Sequence, residues 1–417
     1  MRQTTILVIG TADTKADEML FLRSVIESQG GDAPIMDVGV LGDPPFAVQY
    51  SKHEVAGAAG SSNAQIIALG DENLAMSKTA EGASNLCQHL YHEGKIDGIL
   101  LLGGTMGTDL ALEVALALPI GLPKLIISTV AFSHLIPPDR LSPDLMMILW
   151  SGGLYGLNSL CKAVLSQAAG AVLGAARAVQ KPQFDKPLIA ISSLGSSALS
   201  YMLTLKPELE ARGYEVVVFH TTGQGGRALE NLAAEKAFVA IFDFSLAEVA
   251  NYHCGSIVNS GKDRLENAGL AAIPQLVAPG GLGIVDIATW QARSPEQQTR
   301  GYHAHNRLIA SISSTAEEMA DIAQAVAHKL NQAKGPTAFV MPLKGLIAWD
   351  REGEPLHAPE LLQAFAQSLK INLVPSVKLL ELDAHINDAL FSQQALAIFD
   401  AWVSAGYIPK GLKTYHD

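Results

Sequence analysis

At 417 residues, with 48% hydrophobic side chains, 37 glycines and 20 prolines, the chain has material for two domains with full cores, and its composition excludes disordered and collagen-like classes. A formal net charge of -12 with no Lys/Arg cluster excludes a general nucleic-acid binder, so an anionic ligand has to be held locally by backbone amides and a few basic side chains. Cys87, Cys161 and Cys254 are odd in number and lack any CxxC spacing, which argues against a disulfide framework or a zinc site and for a reducing compartment.

Met1 to Thr4 lead straight into a strand pattern without the apolar stretch of a secretory signal, and runs such as Ile96 to Leu102 are far too short to cross a bilayer. A cytoplasmic protein without membrane contact is expected. Strands are predicted at Thr5–Gly10, Pro34–Val40, Gly98–Gly103, Lys124–Thr129 and Leu145–Leu149, with helices at Lys15–Ser28, Asn73–Glu93, Asp109–Leu116 and Leu157–Val179. The polar, proline-bearing stretch Gln180–Pro187 breaks this rhythm, and the domain boundary is placed within it, between residues 182 and 183. Beyond it, strands are predicted at Leu188–Ile191, Glu215–His220, Ala237–Asp243, Ile273–Val277, Thr337–Met341 and Asn372–Pro375. The partner helices fall at Ser197–Arg212, Arg227–Glu235, Thr315–Lys334, Pro359–Leu369 and Asp388–Ser404. The fold class is therefore α/β: two Rossmann-like domains, 1–182 and 183–417, with mainly parallel sheets and a ligand cleft expected between them.

Five strand-to-helix loops carry the functional signal, because glycine- and hydroxyl-rich turns present amides and helix starts to an anion. Thr11, Asp13, Thr14 and Lys15 follow the first strand; they suit phosphate and, through Asp13, Mg²⁺, or else Asp13 or Thr14 simply caps the helix. Gly103, Gly104, Thr105 and Gly107 put three glycines in five residues, more than one turn requires. Gly195 and Ser196 form a serine-rich loop that either binds an anion or caps. Gly223, Gly225 and Ala228 match G-x-G-x-x-A, with Gly226 and Arg227 inside the motif and Asp243 near the spacing of a ribose-binding acid; this opens a second reading, a dinucleotide-dependent oxidoreductase. Gly280 to Gly283 precede Asp286 and His305, which with His220 are the acid–base candidates of a third reading, an enzyme acting on a small carboxylated or phosphorylated metabolite. A periplasmic-type binding module would need an export signal. No Walker loop, nucleophile elbow or kinase motif set occurs.

The runs Gly10–Lys15 with Glu18, Gly103–Thr108, His220–Glu230, Arg264-Leu265, His305-Asn306 and His385–Asp388 resemble, in this order along nearly the whole chain, the Tm-one-like ATP-binding family. That resemblance implies a dimeric, two-subdomain ATP-binding protein, with Mg²⁺ accompanying the nucleotide. It also implies a barrel-type enzyme partner related to phosphoenolpyruvate hydrolases, because plant members carry such a domain after this region. The chain departs from the family pattern at Arg307, where proline follows the His-Asn pair, and at Ser313, where arginine is expected. The primary expectation is ATP held by the glycine-rich loops of both halves.

Overall fold

A computed structural model describes residues 2–180, 185–195 and 200–412, and the chain divides into two units, Met1–Pro182 and Gln183–Asp417. Both are α/β with a parallel main sheet, the class that strand–helix alternation predicts.

The first unit runs β1 (Ile6–Gly10), α1 (Ala16–Ser28), β2 (Ile35–Asp37), α2 (Lys52–Ala58), α3 (Asn63–Ala68), α4 (Glu72–His92), β3 (Gly98–Gly103), α5 (Thr105–Leu116), β4 (Lys124–Ser128), β5 (Leu145–Leu149) and α6 (Ser159–Ala178). Its sheet has the order β2-β1-β3-β4-β5, all parallel. Successive side chains of a strand face opposite sides. Hence Leu7 and Ile9 pack with Cys87, Leu90 and Leu112 of α4 and α5, while Ile6 and Val8 pack with Leu22, Leu165 and Val172 of α1 and α6. Burial on both faces explains why β1 and β3 read as continuous apolar runs. Among the described residues α6 is the one helix long and apolar enough, by length and composition alone, to cross a membrane. Its Cys161, Leu165, Ala168, Ala169, Val172 and Leu173 belong to the sheet's core.

The second unit runs β6 (Leu188–Ser193), α7 (Ser200–Ala211), β7 (Glu215–His220), α8 (Gln224–Ala234), β8 (Ala240–Asp243), α9 (Ala247–His253), α10 (Asn267–Leu270) and β9 (Gln275–Val277). It continues with β10 (Ile284–Ala288), α11 (Pro295–Gln298), β11 (Tyr302–Ala304), β12 (Ile309–Ser313), α12 (Ala316–Leu330), β13 (Thr337–Pro342), α13 (Pro359–Asn372), β14 (Val377–Leu382) and α14 (Ala389–Ser404). The main sheet, β14-β13-β9-β8-β6-β7, is parallel throughout. Its helices α7 and α14 cover one face and α8, α10 and α12 contribute to the other cores.

Beyond short helices that the sequence did not predict (α2, α3, α9, α10 and α11), two longer parts differ from the sequence expectation. The last strand is Val377–Leu382 rather than Asn372–Pro375, where α13 ends; β14 is an edge strand, and Lys378 and Glu381 on it mask the apolar pattern. Residues 284–313, expected as a loop with acid–base groups, build a separate antiparallel sheet of order β10-β12-β11.

Candidate functional site

In an order of this kind, β1 and β3 send their connections to opposite faces, and a crevice opens between them at the carboxyl ends of the strands. Thr11 closes the turn after β1: its carbonyl accepts from Thr14 N at 3.1 Å and Lys15 N at 2.9 Å, and the Thr11 and Thr14 hydroxyls lie 2.8 Å apart. Neither Asp13 nor Thr14 caps α1, whose N-cap is Lys15 with no side-chain bond. Asp13 instead turns toward the loop after β2. A Cβ on Gly42 would overlap its carboxylate, and one on Gly39 would stand 3.4 Å from Asp13 Oδ1 and 3.0 Å from Asp37 Oδ1. Asp37, buried at the end of β2, accepts from Ala12 N (3.0 Å) and Gly39 N (2.8 Å), so it locks the two loops together. Lys15 places Nζ 5.4 Å from the centroid of the Tyr155 ring, and among the described residues it has no carboxylate in ion-pair range. The turn carrying Tyr155 is pinned by buried Glu18, whose Oε1 accepts from Gly156 N at 2.9 Å.

The second loop begins where β3 ends. A Cβ on Gly103 would come within 2.5 Å of Gly107 Cα, so the pair of glycines lets the strand end pass the first turn of α5. That turn starts at Thr105, earlier than predicted, behind Gly104 as N-cap with no side-chain bond. Its leading amides are thus unclaimed by any cap, and carry the positive end of the helix dipole. Behind it, the Thr108 and Ser128 hydroxyls meet at 2.7 Å and anchor α5 to β4.

Together these loops line a cavity of about 790 Å³, every wall of which belongs to the first unit. Part of the lining is polar: Thr11, Asp13, Thr14, Lys15 and the Gly103–Gly107 turn, with Asp71 and Glu72. Part is aliphatic: Val38, Val40, Leu41, Ile66, Ile67, Met76 and Leu110. A smaller hollow of about 550 Å³ lies on the other side of Thr105 and Met106, where Arg140 is already paired with Asp109 at 2.7 Å. The aliphatic wall and Asp37 escaped the sequence reading. Asp37 carried one signal, an acid closing the second strand of a Rossmann-like unit; the wall carried none, because α2 and α3 were not foreseen.

In the second unit, Gly223, Gly225, Gly226 and Arg227 do stand at the start of α8, but their groups are engaged within that unit. Gly223 N (2.6 Å) and Gly226 N (3.1 Å) both donate to Glu248 Oε1, so a protein carboxylate takes the position an external anion would need. A Cβ on Gly226 would run into Glu248 and come within 2.6 Å of Arg264 Nε, and one on Gly225 would overlap the His220 carbonyl; close packing is what demands these glycines. Arg227 NH1 spans both oxygens of Asp263, at 2.7 and 2.8 Å. Asp243, the proposed ribose acid, is buried, accepts from Ser192 Oγ at 2.7 Å and pairs with buried Arg264, whose NH2 lies 2.6 Å from Oδ1. Arg264 also meets Glu248 at 2.9 Å and Glu230 at 3.3 Å. Burial works against the charge of this guanidinium, and Asp243, Glu248 and Glu230 overcome it, holding its pKa well above the usual arginine value. Burial pushes the Glu230 carboxyl up to about 7, against the pull of Arg264 and the amides of Asn267 and Leu265. Glu248 is also raised, by burial first.

The acid–base candidates stand on separate elements: Asp286 on β10, His305 after β11 and His220 at the end of β7. Asp286 is buried on β10, with Oδ2 accepting from Asn251 Nδ2 (2.9 Å) and Oδ1 from Ser311 Oγ (2.7 Å). Its partner across the sheet is Ser311, then His303; His305 sits in the exposed turn beyond Ala304. His220 is exposed at the end of β7, against Gly195, whose Cβ would stand 3.2 Å from its ring. Ser196, grouped with Gly195 as an anion contact, lies outside the described residues.

Residues 4–181 match the N-terminal domain of the Uncharacterised protein family (UPF0261), and residues 186–403 match its C-terminal domain. The chain belongs to UPF0261. A UPF0261 protein of Brucella melitensis biotype 1 is 54% identical over 406 residues, 97% of each chain, and one of Clostridium tetani is 35% identical over 93% of this chain and 96% of its own. The similarity to the Tm-one-like family extends to the ToMV resistance protein Tm-1(GCR237) of Solanum lycopersicum, at 29% identity over 94% of this chain but 55% of that protein. This chain thus matches a little over half of that longer plant protein. Among solved structures, a UDP-GlcNAc 2-epimerase from Methanocaldococcus jannaschii aligns with 89% of this chain and all of its own at 11% identity and a TM-score of 0.23. A likeness that faint adds nothing to the strand orders above.

Proposed function

We propose that the first unit binds a phosphate-bearing ligand, ATP as its Mg²⁺ complex, at the carboxyl ends of β1, β2 and β3. The observation that carries this reading is Lys15: it lines the cavity beside the uncapped start of α5, and no carboxylate answers its charge among the described residues. Phosphate oxygens supply what both lack. The cavity's other charges, Asp13, Asp71 and Glu72, oppose a bare triphosphate, so the ligand enters with a divalent cation, and Asp13 on the phosphate loop is its protein ligand. One carboxylate is enough, because Mg²⁺ takes its remaining ligands from phosphate and water.

The dinucleotide reading has less support, because Glu248 and Arg264 engage the glycine amides and the acid it relies on. The acid–base reading has less support because both carboxylate oxygens of Asp286 are already engaged, by Asn251 and Ser311.

Isothermal titration of the full chain with Mg·ATP tests the proposal. Lys15→Ala removes a charge-assisted contact worth about 1.5–3 kcal/mol and weakens binding about 10–100-fold. Arg227→Ala, which loses an internal pair with Asp263, leaves the affinity within about twofold. No binding heat for the wild type, or equal affinity for the wild type and Lys15→Ala, overturns it.

A further inference from the structure

The two parts of the lining differ in kind, and the aliphatic part offers little to a polar ligand edge. Several of the polar groups beside it are engaged inside the protein. Thr79 Oγ1 donates to Ala75 O at 2.9 Å, and Asp71 Oδ1 accepts from Leu74 N at 2.8 Å as the cap of α4. The Val40 carbonyl accepts from Asn63 Nδ2 at 3.0 Å and the Leu41 carbonyl from Lys52 Nζ at 3.4 Å. Asp71 and Glu72 are exposed, where water competes for their remaining carboxylate oxygens. What the wall does offer is apolar surface standing in water: Leu41 is 79% exposed and Ile67 45% exposed, although both line the cavity.

Resting on the phosphate reading above, we infer that this wall holds the body of the ligand by burial alone: the site takes organic phosphates with a flat or apolar body, and does not discriminate among nucleobases. Discrimination of four or five orders of magnitude comes from protein groups left unpaired by the wrong ligand. A wall of aliphatic carbons leaves none unpaired with either purine. Leu41 and Ile67 become the residues that set affinity for the body, while the loops after β1 and β3 set affinity for the phosphates.

Competition titrations on the full chain with Mg²⁺ complexes of ATP, GTP and tripolyphosphate separate the two contributions. In the wild type, ATP and GTP bind within about threefold of each other and both bind tighter than tripolyphosphate. The double variant Leu41→Ala/Ile67→Ala, altered only at exposed side chains, weakens ATP and GTP alike by about tenfold and leaves tripolyphosphate unchanged. A preference above about thirtyfold for one purine, nucleotides that bind no tighter than tripolyphosphate, or a double variant with wild-type nucleotide affinity overturns this inference and leaves the phosphate reading standing. Failure of all three ligands to bind overturns the phosphate reading, and this one with it.

Discussion

Replacing Arg264 by methionine removes the one cation from a buried group of three carboxylates. Asp243, Glu248 and Glu230 all lie within 3.3 Å of the guanidinium, and all four residues are almost fully buried. Breaking a buried pair by deleting one partner costs about 3–5 kcal/mol, because the other charge is left without compensation. At pH 8 that is the expected loss of opening free energy for β8 and α9. The loss shrinks as pH falls. Glu230 already stands at about 7 against an ordinary 4.5, and Glu248 is raised too. For an acid whose folded value is raised, stability is fully present below the unfolded value and is lost as pH climbs through the folded one. For Glu230 in the wild type the window is 4.5 to about 7, and at 1.36 kcal/mol per pH unit it spans about 3 kcal/mol. Without Arg264 the Glu230 and Glu248 carboxyls move further up, so the variant loses more than the wild type over the same climb. Native-state hydrogen exchange of peptides covering β8 and α9 at pH 5.5 and 8, corrected for intrinsic rates, reads the difference. A wild-type-to-variant gap below about 1 kcal/mol at pH 8, or one equal at both pH values, would refute the account.

Glycine substitutions should divide by what a Cβ meets. Gly225→Ala drives a methyl into the His220 carbonyl and is expected to cost about 3 kcal/mol or more, whereas Gly174→Ala, within α6 and with nothing inside 4 Å, stabilises by about 0.5–1 kcal/mol; thermal unfolding ranks the two, and the opposite order contradicts the packing described for α8. Asp286→Asn can keep both bonds, its oxygen toward Asn251 Nδ2 and its amide toward the Ser311 hydroxyl, but loses their charge assistance and should lower stability by about 1 kcal/mol while Mg·ATP affinity stays unchanged; a change in affinity with stability intact would return Asp286 to the list of functional groups.

The class of fold was legible because strands buried on both faces are written as unbroken apolar runs: Ile6–Ile9 and Ile99–Leu102 could hardly be anything else in a chain of this length. The polar part of the cavity lining was legible for a related reason. Thr11, Asp13, Lys15 and Gly103–Gly107 directly follow those strands, so local sequence places them. What is set by distant partners was not. Nothing near Gly223 announces Glu248, 25 positions on, as the acceptor of its amide, and nothing near Asp286 announces Asn251. The short antiparallel strands β10, β11 and β12 are three to five residues long, and their histidines drew attention to chemistry where the backbone was forming a sheet. The aliphatic wall depends on α3, six residues whose identity comes from a Ser62 capping box and from packing on α4, not from any periodic pattern long enough to count.

The carboxylate of Glu248 at the head of α8 bears on how such motifs are read elsewhere. A helix that is supplied with a counterion from its own polypeptide keeps every glycine of a cofactor signature while having no use for the cofactor. In related chains the glycines alone are therefore a poor guide. An acid retained some twenty-five residues downstream, beside an arginine that can neutralise it, marks the self-sufficient version, and its replacement by a neutral residue would mark the one open to a visitor.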